Sequence, residues 1–178
     1  MARARPFAPV KYFCGILAAA GADPEAAEER LEARLGPVDA RCGPIPFTHT
    51  DYYRLEMGAD LSRHFVAFET LRDPAELASL KLFTNDLEAE LAGASGSRAL
   101  NIDPGYLNDA RLVLASAKDF AHRLPLGGGV YAQLEYLFRR GGVRFLDWTF
   151  PEYRSEEVTR FFLALRERYH RQMKALDE

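Results

Sequence analysis

The run Val10 to Leu17 (VKYFCGIL) is apolar on both of its alternating faces, so water suits neither side. That is the pattern of a central strand covered on two sides, and the rest of the chain has to supply the cover. Downstream, Asp23 offers a side-chain acceptor for free amides and Pro24 suits a first helical turn. Gly36 closes the segment, in which Ala27, Leu31 and Leu35 share a face. A helix is predicted there. Prolines 37, 44 and 46 allow at most an irregular or edge strand over 37–47.

The polar stretch 48–62 (THTDYYRLEMGADLS) predicts a long connection holding a short helix, with Tyr53 and Met57 one turn apart and Gly58 as its stop. Arg63 to Leu71 (RHFVAFETL) resumes strand character. Asp73 to Glu76 has capping-box spacing ahead of a helix with Leu77, Leu80, Phe83, Leu87 and Leu91 as its buried stripe, ended by Gly93 to Gly96. Arg98 to Ile102 reads as a short strand leading into a turn at Asp103-Pro104-Gly105, and Leu112 to Ala117 suits either a strand or a helical segment. After the triglycine Gly127 to Gly129, Val130–Phe138 and Val143–Trp148 flank Arg139 to Gly142 as a hairpin. A last helix starts at Ser155, with Val158, Phe161, Phe162, Leu165, Tyr169 and Met173 at helical spacing.

These elements predict an α+β fold: a mixed or antiparallel sheet with about three main helices, the first hundred residues in a ferredoxin-like βαββαβ order, and an added C-terminal hairpin and helix. Residues 1–178 are expected to form a single domain. Hydrophobic residues make up 48% and charged residues 28%, which is enough apolar side chain for a core without disulfides. The two cysteines, Cys14 and Cys42, form no CxxC pair or zinc spacing and read as free thiols of a reducing compartment. A net charge of −3 argues against nucleic acid or an anionic membrane as a partner. The basic start, with Arg3, Arg5 and Lys11, leads into an apolar run, Tyr12 to Ala20, whose strand-like alternation and acidic sequel from Asp23 to Glu32 argue against export. No window approaches the roughly 18 apolar residues of a membrane span. A cytoplasmic protein is expected.

The densest group of chemically useful side chains runs from Asn101 to Arg123: Asn101, Asp103, Tyr106, Ser116, Lys118, Asp119, His122 and Arg123. Alternation on one strand would put Asn101 and Asp103 on the same side. Lys118 and Arg123 suit an anion, Asp103 a base or a metal ligand, and His122 a proton transfer near neutral pH. The plainer alternative is that Asp103-Pro104-Gly105 is only a turn, that Lys118 and Asp119 are solvated, and that His122 and Arg123 decorate a loop. On the second long helix, Lys81, Thr84, Asn85 and Glu88 share a face that either meets solvent or joins this cluster. His49, Asp51 and Glu56 in the long connection are weak candidates for a metal, against the reading of a surface loop anchored by Tyr53. Trp148, Tyr153 and Arg154 suit either a planar ligand or the fastening of the last helix.

No GxxxxGK[ST], GxSxG, HExxH or GxGxxG pattern is present, which sets aside the P-loop, the nucleophile elbow, the zinc protease and the dinucleotide fingerprint. The segments PVKYFCGIL, TDYYRLEMG, DPAELASLKLFTNDLE, NIDPGYLNDARLVLASAKDFAHR, GGGVYAQLEY and WTFPEYRSEE together resemble a prokaryotic family of unknown function whose members often carry the label GTP-binding protein. Ser116-Ala117-Lys118 is similar to the guanine-side SAK triplet of GTPases, while their NKxD base-reading motif is absent. The resemblance implies no activity and no cofactor.

Three functions compete at this stage. A small anionic or phosphorylated ligand bound by Lys81, Asn85, Asn101, Tyr106, Lys118, Asp119 and Arg123, with Asp103 and His122 as the chemically active pair, is the leading one. A non-catalytic protein-interaction module and a metal-assisted hydrolase using Asp51, Glu56 or Asp103 are the others. They separate on whether the face at Lys81, the connection at Asp51 and the cluster at Asn101 share one pocket.

Overall fold

The computed structural model of the chain describes residues 3–48, 53–92 and 98–176. In chain order its elements are β1 (Val10–Ala19), α1 (Pro24–Leu35), β2 (Val38–Pro46), α2 (Arg54–Met57), β3 (Leu61–Arg72) and α3 (Leu77–Glu90). There follow β4 (Leu100–Leu107), β5 (Arg111–Ser116), β6 (Leu124–Gly127), β7 (Val130–Arg139), β8 (Gly142–Phe145) and α4 (Glu156–Leu176). The eight strands make one sheet in the order β2-β3-β1-β4-β5-β7-β6, with β8 also pairing with β7. Every pairing is antiparallel. The segment β2-β3-β1-β4, with α1 and α3 as crossovers, is the predicted ferredoxin-like plan, extended by four more strands on the β4 side.

β1 meets the demand its sequence makes. Tyr12, Cys14 and Ile16 pack with Ala27, Leu31 and Leu35 of α1 and Leu77, Leu80 and Leu87 of α3. Phe13 points the other way, into Val158, Phe162, Leu165 and Tyr169 of α4, with the Phe13 and Phe162 rings edge to face at 4.8 Å. Leu17 closes a third cluster with Phe47, Met57 and Leu61. At about 1.5–3 kcal/mol for each large apolar side chain removed from water, the two covered faces account for why the sheet is sandwiched between helices.

Local signals explain most boundaries. Asp23 accepts from the amides of Glu25 and Ala26 at the start of α1, and Asp73 accepts from Ala75 in the 3₁₀ turn Pro74–Glu76 that leads into α3. Gly58 stops α2 at φ 90°. The predicted stop at Gly93 to Gly96 lies outside the described residues. No helix among the described residues is long and apolar enough to cross a membrane.

Asp103-Pro104-Gly105, expected as a turn, is the middle of β4. The ladder from β4 to β5 begins only at Gly105, so Pro104, which has no N–H to give, lies where β4 has a partner on the β1 side alone. Gly105 is needed for close packing: a Cβ there would stand 2.5 Å from Phe13 Cζ and 2.5 Å from the Val113 carbonyl oxygen. A second difference is β6, which was not expected. Gly127, Gly128 and Gly129, all at positive φ, make the turn that folds it onto β7.

Candidate functional site

Pairing between β4 and β5 covers only Gly105–Leu107 against Leu112–Leu114. Beyond Gly105 the ladder ends, and a cleft of about 520 Å³ opens with Asn101 and Asp103 on one wall and Ala115 to Lys118 on the other. Lys81 and Asn85 reach it from α3, Arg63 from β3, Gln133 from β7, and Phe150 to Tyr153 from the segment before α4. Arg98 and Arg123 complete the charged lining, while Phe47 and Tyr53 supply an aromatic side. The volume is in the range of small-molecule sites.

Asp103 stands at the electrostatic centre. Lys81 Nζ donates to its Oδ1 at 3.0 Å and to the Ile102 carbonyl at 2.8 Å, and Asn101 Nδ2 donates to its Oδ2 at 2.7 Å. The lysine comes from a helix on one face of the sheet, whereas Asp103 alternates with Ile102 and projects toward the other. They meet at the unpaired edge of β4. Burial acts to raise the Asp103 carboxyl, but the charges of Lys81 and Arg63 and the two side-chain hydrogen bonds outweigh it and hold the group below its ordinary range. A carboxylate so stabilised is a fixed negative charge and a weak base. Behind Lys81, Glu88 accepts from the Ile102 amide at 2.6 Å and pairs with Arg98, which ties α3 to the start of β4.

Arg63 forms the floor. It grips Glu152 with Nε at 3.2 Å from Oε2 and Nη2 at 3.0 Å from Oε1, and its side chain is 5% exposed. Its guanidinium and the Tyr153 hydroxyl lie over Gly15, where a Cβ would stand in ordinary contact with both and tight only against Phe65 Cε1, at 3.3 Å. Nη1 is buried and makes no hydrogen bond among the described residues.

The opposite wall is a hydrogen-bonded chain. Arg123 donates through Nε to Gln133 Oε1 at 2.7 Å, and through Nη1 to Ser116 Oγ at 2.9 Å and the Lys118 carbonyl at 2.8 Å. Gln133 passes the connection on to Glu135, whose other oxygen accepts from the Phe150 amide at 3.1 Å. Glu135 is fully buried, and burial raises its carboxyl to about 8 against the opposing hydrogen bonds from Gln133 and Phe150.

Of the residues singled out from sequence, Lys81, Asn85, Asn101, Asp103, Lys118 and Arg123 line this one cleft. Tyr106 does not: it sits on the α1 and α3 face, edge-on to Tyr12 at 6.0 Å. Asp119 is exposed outside the lining. His122 stands behind the wall, stacked on Trp148 at 4.8 Å and hydrogen-bonded to Gln133 at 3.0 Å. Glu56 lies on α2, 3.7 Å from Arg98, and Asp51, like His49, lies outside the described residues. Among the described residues no three His, Cys, Asp or Glu side chains gather as a metal site would require.

Arg63, Arg98, Gln133, Glu135 and Glu152 were missed. The legible signal was on β7 (VYAQLEYLF), where Gln133 and Glu135 are two polar residues at strand spacing inside an otherwise apolar run. Two buried polar groups on one strand face require partners, and a site is one place to find them.

The sequence model of one protein family matches residues 8–169, a span that includes every residue lining the cleft. The chain belongs to that family, described as a domain of unknown function (DUF4416). Neither a curated protein nor a solved structure matches it. The DUF4416 match therefore assigns kinship without a reaction.

Proposed function

We propose that this chain binds a small anionic ligand, of which phosphorylated compounds are the leading class, in the cleft between β4 and β5. The observation that carries the reading is the charge of the lining: Arg63, Lys81, Arg98, Lys118 and Arg123 against Asp103 and Glu152, in a chain whose net charge is −3. Both carboxylates are matched by cations of the same cleft, Asp103 by Lys81 and Glu152 by Arg63. The surplus is positive, and low-dielectric walls strengthen its attraction for an anion. Asp103 and Glu152 in this reading hold donors in place and do no acid–base work.

A thermal-shift screen with inorganic phosphate, sugar phosphates and nucleotides checks the proposal. At least one compound is expected to raise the unfolding temperature of the wild type, and Lys118→Ala/Arg123→Ala is expected to lose that response. Identical responses from the two proteins to every compound would remove the site assignment.

A second reading, a protein-interaction module, is supported by the end of the sheet. β6 is its terminal strand, and Leu124 and Leu126 stand 70% and 44% exposed. Size-exclusion chromatography showing a monomer at all concentrations, with no copurifying chain, would count against it.

A further inference from the structure

Arg123 differs from the other arginines that line the cleft. Arg63 is paired with Glu152, and Arg98 with Glu88. The three acceptors that orient Arg123 are neutral: Gln133 Oε1, Ser116 Oγ and the Lys118 carbonyl. An arginine aimed by neutral acceptors keeps its positive charge available for a ligand. Burial accordingly lowers its pKa below the ordinary arginine value, against the weaker opposing charges of Glu135, Asp103 and Asp119.

The nearest carboxylate along its hydrogen-bond chain is Glu135, reached through Gln133. Glu135 is also tied to the segment before α4, because its second carboxyl oxygen accepts from the Phe150 amide. We propose that Arg123 takes the anion and that Glu135, two hydrogen bonds behind it, is an ionisable counter-charge, so that anion binding is accompanied by uptake of a proton. This rests on the anion-site reading and adds a residue-level regulation to it.

The sign follows from the charges. An ionised Glu135 partly neutralises Arg123 and repels an anion beside it, whereas a protonated Glu135 does neither. An arriving anion therefore favours the protonated form, and by linkage a lower pH favours the anion. The groups that face Glu135 are Glu152 and Tyr153 from the segment before α4, Arg123 from the loop before β6, and Tyr136 of its own strand, while His122 meets the same Gln133. Glu152 is held by Arg63 and Asp103 by Lys81, so both supply a constant background while Glu135 changes charge. The raised value near 8 places that change close to neutral pH.

Calorimetric titration with sodium sulfate, a divalent anion that does not itself titrate in this range, tests the coupling. In two buffers of different ionisation enthalpy near pH 8, the wild type is expected to take up a fraction of a proton per sulfate bound. Its affinity is expected to fall roughly three- to tenfold from about pH 6.5 to about pH 9.5. Glu135→Gln, checked for folding by its unfolding temperature, is expected to bind sulfate with a flat pH profile and no proton uptake, and Arg123→Ala to lose sulfate binding. The wild-type proton count stands without any variant. Sulfate binding with no proton uptake and a flat wild-type profile overturns the coupling and leaves the anion site in place. Sulfate binding that survives Arg123→Ala unchanged overturns the role of Arg123. Absence of sulfate binding at every pH overturns both the coupling and the anion-site reading.

Discussion

Lys11 and Lys81 are both lysines buried against the sheet with an aspartate at hydrogen-bond distance, and the structure uses them in opposite ways. Lys11 Nζ is fully enclosed, with Asp39 Oδ2 at 2.6 Å, the Phe68 carbonyl at 2.8 Å and Gln172 Oε1 at 3.1 Å. Arg168 adds a second cation 3.3 Å from the same aspartate, so that two cations lock α4 to the sheet. Lys81 holds Asp103 at 3.0 Å, but that carboxylate is 27% exposed at the wall of the cleft. One pair closes a layer, and the other leaves charged surface beside an open volume. The residue types are the same; the difference is whether another element covers the pair.

Replacing Lys11 is expected to have the largest effect. Lys11→Met leaves Asp39 buried with the longer Arg168 contact alone, and a loss of about 3–5 kcal/mol is expected in urea unfolding. Lys81→Met should cost less, about 1–3 kcal/mol, because Asn101 and water remain available to Asp103. An equal or larger loss at Lys81 would show that its pair with Asp103 is as structural as that of Lys11 with Asp39. Next comes Arg123→Ala, whose stability is expected to stay within about 1 kcal/mol of the wild type while affinity for sulfate drops tenfold or more. A variant that unfolds readily would move Arg123 to the structural side.

The last effect is a slope with pH, not a loss at one pH. Glu135 has a folded value raised to about 8, so the folded state keeps a proton that the unfolded chain has already released above the ordinary glutamate range. Its contribution is full at acid pH and declines as pH rises toward 8. Thermal unfolding over a pH series is expected to show that decline in the wild type and a flatter curve in Glu135→Gln. Parallel curves would show that Glu135 does not titrate differently in the two states.

The fold was largely readable because its signals are local. Asp23, Asp73 and Gly58 mark boundaries through their own side chains or φ angles, and the VKYFCGIL run states its two-sided burial directly. Pro104 and Gly105 misled for the same reason: locally they spell a turn, and only the proximity of Phe13 and Val113 makes them strand residues. Of the cluster from Asn101 to Arg123, Asn101, Asp103, Lys118 and Arg123 line one cleft, while Tyr106 lies on the opposite face by strand alternation.

Sequence alone determined the class of fold, its central strand, the helices that cover it and the family to which the chain belongs. Tertiary structure alone decided that Lys81 meets Asp103 across the sheet edge, that Arg63 can lie over Gly15, and that Glu135 backs Arg123. Periodicity assigns a side chain to a face from neighbours a few residues away. Which groups then converge depends on where β4 and β5 part, and that is set by packing among residues distant along the chain.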